Sequence, residues 1–77
     1  MKERSEQLLV AEIFGACYKR AYTVSELCNK IYKNGLAKNQ IRIYQILEIL
    51  MKNGMIKPVF KHRELKYIRD ESPEEME

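Results

Sequence analysis

Six residues able to make directed polar contacts fall within eight positions: Lys38, Asn39, Gln40, Arg42, Tyr44 and Gln45. Arg carries a flat fork of donors, and Asn and Gln carry a donor beside an acceptor. Such groups suit flat targets with polar edges: Arg matches guanine, and Asn or Gln matches adenine. Lys38 offers a compact charge for a phosphate. Tyr44 offers a ring and a hydroxyl for a sugar or a phosphate, although a Tyr here also suits the edge of a core. A second cluster, Lys61, His62 and Arg63 before Glu64, groups three potentially positive side chains. Such a group contacts phosphates or reaches a minor groove. Both clusters also have a plainer reading, as a solvated helix face and a polar turn.

The charge distribution favours a polyanionic target. The chain of 77 residues has 14 Lys plus Arg and 11 Asp plus Glu, a formal charge of +3. Five of those acids lie in residues 70–77, DESPEEME, which contain no base. Residues 1–69 therefore hold six acids against 14 bases, a formal +8. A basic body with an acidic tail favours partners such as nucleic acid.

Several function classes are disfavoured. There is no Gly-rich phosphate loop and no HExxH. Ser5 and Ser72 lie near the chain ends, and Ser25 has no nearby His in sequence. Glu74 and Glu75 lie in a tail that cannot fix two carboxylates, so no enzyme is expected. A metal site normally needs four N or S ligands, and the chain has two Cys and one His, so neither metal nor cofactor is expected. Cys17 and Cys28 fall at apolar helical positions and read as reduced core thiols; a disulfide between them is the alternative. No apolar run approaches the roughly 20 residues that cross a bilayer. The charged start, MKERSEQLLVAEIF, does not read as a signal peptide, so a cytoplasmic protein is expected.

The elements that must position these residues follow from periodicity. A first helix is predicted from about Glu3 to Arg20, with Leu9, Ile13, Ala16 and Cys17 inward. Lys19 and Arg20 would then complement the negative end of its dipole. Thr23 and Glu26 form a capping box that starts a second helix with Leu27 and Ile31 inside. KNG at 33–35 stops it, with Asn34 or Gly35 left-handed. Leu36 is expected to plug the turn. Asn39 is expected to cap a third helix running to about Asn53, with Ile43, Leu47 and Leu50 inside and Gly54 after it. Ile46 and Ile49 then face either the first helix or a partner. MIKPVF and LKYIR read as two strands joined by KHRE, with Pro58 forcing an edge strand or a bulge. Ala21 and Tyr22 form a short extended link.

The order helix, helix, helix, hairpin resembles the winged helix-turn-helix family of DNA-binding domains. RIYQILEILMKNGMI, Arg42 to Ile56, looks like the family's recognition helix and its exit. YTVSELCNKI, Tyr22 to Ile31, looks like the preceding helix. Ile43 with Tyr44 is similar to PadR and MarR-like regulators. The resemblance covers residues 5–69. It implies a mainly α fold with a small β-hairpin, a winged-helix domain over 1–69; residues 70–77, which have no apolar face, are expected to form an acidic, disordered tail. It also implies a small, homodimeric transcriptional regulator binding double-stranded DNA. Helix 3 (about 39–53) would enter the major groove and the wing (about 55–69) would hold the backbone or minor groove. The implied contacts are Lys38, Asn39, Gln40, Arg42, Tyr44, Gln45, Lys61, His62 and Arg63. No small-molecule effector is indicated. Two departures stand out. Such regulators often have a dimerisation helix after the wing, where this chain has its acidic stretch, so a dimer would use another surface such as the first helix. The third helix also starts KNQIR where Ser and Thr are common, so no operator sequence carries over. The competing reading is a protein-interaction module on the same fold, using Ile41, Ile46, Ile49 and Met51 as a patch. The acidic tail either aids solubility or folds back on the basic face.

Overall fold

A computed structural model describes residues 5–70; the acidic stretch beyond Asp70 lies outside the described residues, as does the chain before Ser5. The order is α1 (Glu6–Ala16), α2 (Val24–Tyr32), α3 (Ala37–Lys52), β1 (Ile56–Lys61) and β2 (Glu64–Arg69). Three helices and one antiparallel hairpin give a mainly helical, winged-helix topology.

α1 is shorter than its periodicity predicts. Ser5 caps it, its hydroxyl accepting from the Leu8 amide at 3.1 Å. It ends at Ala16 because the Cys17 carbonyl accepts from the Arg69 amide at 2.9 Å. A longer helix would need that carbonyl for Ala21. Lys19 and Arg20 therefore lie beyond the helix, not in its last turn. Ala21 is buried, and Tyr22 forms a two-bond bridge with Tyr67, at 3.0 and 2.8 Å. The extended link thus pins the hairpin to the helices.

α2 starts on the predicted capping box. Thr23 Oγ1 accepts from the Glu26 amide at 3.0 Å, and Glu26 Oε1 accepts from the Thr23 amide at 2.9 Å. Its end differs from the expectation. Lys33, not Asn34 or Gly35, takes the left-handed conformation, at φ 64°. Asn34 is held instead by its side chain, which donates to the Tyr32 carbonyl and accepts from the Leu36 amide and the Asn39 amide group.

α3 begins three residues earlier than a cap at Asn39 predicts. Leu36 occupies the N-cap position and Asn39 sits inside the first turn, so Asn39 is not the cap. Leu36 is 53% exposed and is no buried plug. Asn34 accepts from the Leu36 amide and so satisfies one of the helix's orphan donors from outside, while no side chain caps the amides of the first turn. The far end follows the sequence. Gly54 has φ 69°, its amide bonds the Met51 carbonyl, and the Met55 amide bonds the Leu50 carbonyl. That pair of bonds is a Schellman stop, which needs a residue able to adopt positive φ.

The core joins Leu9, Ile13 and Cys17 of the first segment to Leu27, Cys28 and Ile31 of α2. Ile43, Ile46, Leu47 and Leu50 of α3 close it, with Ile56 and Tyr67 from the hairpin. Ile46 is thus a core residue, which resolves half of the question about the second apolar face. Both cysteines are free thiols inside this core. Burial pushes the Cys17 thiol up to about 12 and raises that of Cys28.

In the hairpin, Lys61 faces Glu64 across a two-residue turn, and Pro58 faces Tyr67. Counting from the turn, Pro58 and Tyr67 form a pair that does not hydrogen-bond to each other. Tyr67 spends its backbone groups on Tyr22 instead. Pro58 therefore breaks no ladder bond, and β1 is the edge strand. The turn is tighter than KHRE suggested: only His62 and Arg63 form it, at φ 51° and 67°.

Candidate nucleic-acid interface

The structure separates the predicted polar residues of α3 by the jobs they already do. Gln45 is exposed on the face opposite the core. Lys38 is also exposed, in the first turn. Asn39 and Gln40 are half-buried and reach back into the turn. Asn39 Nδ2 donates to Asn34 Oδ1 at 3.0 Å, and Gln40 Nε2 donates to the Gly35 carbonyl at 2.9 Å. Each thus commits one amide proton to holding α3 against α2.

Arg42 is half-buried on the side of α3 that faces α2. Tyr32, Lys38, Asn39 and Arg42 line a shallow hollow of about 60 Å³. Lys38 and Arg42 are four positions apart, so they stand one above the other on the helix. The hollow lies at the N-terminal end of a 16-residue helix, where the backbone dipole is positive. From Ala37 to Glu48 the first acid met is Glu48 itself. An anionic oxygen finds complementary charge here, and no carboxylate opposes it on this half of α3.

Tyr44 occupies the other flank and is exposed. Burial, then the nearby Tyr44 and Glu48, push the Tyr67 hydroxyl up. Tyr44 therefore stands where α3 meets the root of the hairpin, between the helix and the wing.

At the wing tip His62 and Arg63 are exposed, and Lys61 is half-buried on the strand beside them. Both turn residues have the left-handed backbone that Asn and Gly adopt with least cost. Strand alternation adds two cations that the sequence reading left out. Lys57 and Lys61 share one face of the ribbon, and Lys66 faces Val59 on that same side. The signal was available in the period of two on either side of the turn. The opposite side carries Phe60 paired with Leu65, 72% and 47% exposed. The wing thus has a lysine-bearing face, which also holds Glu64 opposite Lys61 and the buried Ile68, and an apolar edge.

The residues fall into two groups, Lys38, Arg42 and Gln45 on the helix and Lys61, His62 and Arg63 on the tip. Among the described residues no three His, Cys, Asp or Glu side chains stand together as metal ligands. No described helix is long and apolar enough to cross a membrane. Comparison with known proteins finds no matching family model, no matching curated protein and no matching solved structure.

Proposed function

We propose that this chain is a sequence-specific double-stranded DNA-binding protein, a small regulator of the PadR and MarR-like kind. α3 enters the major groove, and the wing lies on the backbone or in the minor groove. The observation that carries this reading is the hollow at the start of α3. It sets Lys38 and Arg42 beside a helix N-terminus, next to the outward-facing Gln45, with no acid before Glu48. The twisted tip supports it, because His62 and Arg63 occupy backbone positions that other residues fill more cheaply.

Titration of labelled duplexes at several salt concentrations tests the proposal. Arg42→Ala should weaken specific binding by about 1–3 kcal/mol. Arg63→Ala should weaken binding to every sequence and lower the salt slope by about one. Absence of salt-dependent binding at micromolar protein rejects the reading.

The regulator acts as a homodimer, and α1 supplies the surface. Gln7, Leu8, Ala11 and Gly15 are all exposed on this helix and carry no charge. A Cβ added at Gly15 would meet nothing within 4 Å, so a second helix has room to approach. Sedimentation of Ala11→Lys against the parent measures this.

A second reading, a protein-interaction module, is favoured by the exposure of Phe60, Leu65 and Ile49. Met51 packs on the core and Ile46 is inside it, so the patch expected on α3 is reduced to Ile41 and Ile49. A stable hetero-complex without DNA affinity supports that reading.

A further inference from the structure

The outward face of α3 contains one residue that neither a phosphate hollow nor a solvated surface explains. Ile41 is 59% exposed, the most exposed large hydrophobic side chain on the three described helices. It lies between Lys38, three positions before it, and Gln45, four positions after it, on the same exposed face. Its other neighbours one turn away are the polar Tyr44 and the small Ala37, and it makes no part of the core.

We propose that Ile41 is a specificity-determining residue that recognises the 5-methyl group of thymine in the major groove. This rests on the DNA-binding reading above and names the base class that α3 selects. Thymine alone among the four bases presents a methyl group in that groove, and it is read by apolar contact. A β-branched side chain suits the task. Its first torsion is nearly fixed in a helix, so little rotamer entropy is lost when its methyl groups meet a target. The helix is pinned at both ends, by the Asn34 network and by the Gly54 stop, so the side chain is held in place by its backbone.

Gln45 extends the pattern. It stands one turn beyond Ile41, about 6 Å along the axis. Neighbouring bases on a strand are about 3.4 Å apart, so the two side chains span about two steps. Gln pairs with the N6 and N7 edge of adenine. Ile41 and Gln45 together therefore select a short A·T-containing element, while Lys38 holds the adjacent backbone. The charge around Ile41 favours this occupant over an apolar protein surface. Lys38 and Arg42 flank it on α3, and no acid precedes Glu48 on that helix.

Two duplexes of equal length isolate the methyl group: alternating adenine and thymine, and the same duplex with deoxyuridine for every thymidine. The parent protein should bind the thymine duplex about fourfold more tightly for each methyl contacted, the value of one buried methyl-sized group. Ile41→Ala should bind the two duplexes equally and bind the uracil duplex as the parent does. Ile49→Ala, also on the exposed surface but two turns further along, should keep the parent's preference. A guanine–cytosine duplex carrying 5-methylcytosine should gain affinity over its unmethylated form in the parent only. Equal binding of both A·T and A·U duplexes by the parent overturns the assignment and leaves the DNA-binding reading intact. A preference that survives in Ile41→Ala overturns it too. Absence of salt-dependent binding to either duplex overturns both. A thermal melt of Ile41→Ala that matches the parent shows that the fold is unchanged.

Discussion

The two ends of the hairpin are built on opposite terms. At the root, Ile56 and Tyr67 are buried, Tyr67 is bridged to Tyr22, and the Arg69 and Asp70 amides bond the Cys17 and Met55 carbonyls. The Arg69 guanidinium also stacks 3.9 Å from the Phe14 ring centre and 4.7 Å from that of Tyr18. At the tip, Phe60 and Leu65 are exposed and the turn residues are held at positive φ. Burial and tertiary hydrogen bonds fix the root. The tip is held in strand pairing against the backbone preference of its own residues. Stability belongs to one end, which leaves the other available for contact with a partner.

The largest expected effect is at the root. Tyr67→Ala removes a 2%-exposed aromatic from the junction of α3 and the sheet. It should cost about 3–5 kcal/mol, as aromatic truncations in cores do. Urea unfolding measures it. A loss below about 1 kcal/mol would show that the root is no more tightly built than the tip.

Alkali tests the same end by another route. Cys17 and Tyr67 both have pKa values raised by burial, Cys17 from 9.0 to about 12. A raised folded pKa means that the folded state holds its proton more tightly. Stability is then complete below pH 9 and is lost as pH climbs towards 12. The Cys17 contribution should reach about 1.4 kcal/mol per pH unit. Cys17→Ala should flatten the profile measured by urea unfolding between pH 9 and 11. An unchanged slope would show that the thiol ionises without unfolding.

At the tip the sign reverses. His62→Asn with Arg63→Gly places favoured residues in a turn that needs two positive φ values. The double variant should be more stable by about 1–2 kcal/mol, since left-handed backbone costs roughly that much for ordinary residues. Its duplex affinity should fall at low salt, because Arg63 is gone. Greater stability with unchanged affinity would sever the tip from DNA and turn the contrast between the two ends into a matter of folding alone.

This contrast also marks what the sequence can reveal. The capping box at Thr23 and Glu26, the Gly54 stop and the edge position of Pro58 were legible because each depends on neighbours in the chain. The end of α1 was not, because a carbonyl at Cys17 is claimed by Arg69, more than fifty positions away. The start of α3 was misplaced for a related reason. The helix starts at Leu36 without a capping side chain, and Asn39 and Gln40, inside its first turn, reach back to Asn34 and Gly35. The residue types at 38–45 were visible, but which were committed to the turn depended on the shape of that turn. For Ile41 the sequence indicates apolar surface and no more, since periodicity reports which face a residue occupies and not what meets that face.

The smallest expected effect separates the two functional readings. Phe60 and Leu65 face each other across the strands, and such a pair contributes about 0.2–1 kcal/mol. With Phe60 72% exposed, Phe60→Ala should change stability by about 0.5 kcal/mol, near the limit of urea unfolding. If the wing meets DNA through its basic face, the variant should keep its duplex affinity and its salt slope. If the apolar edge is a protein-binding surface, a central aromatic there should cost about 2 kcal/mol or more in partner binding. The same substitution is therefore nearly silent in folding under both readings and loud under only one of them in binding. That asymmetry exists because the tip, unlike the root, has no buried aromatic to lose.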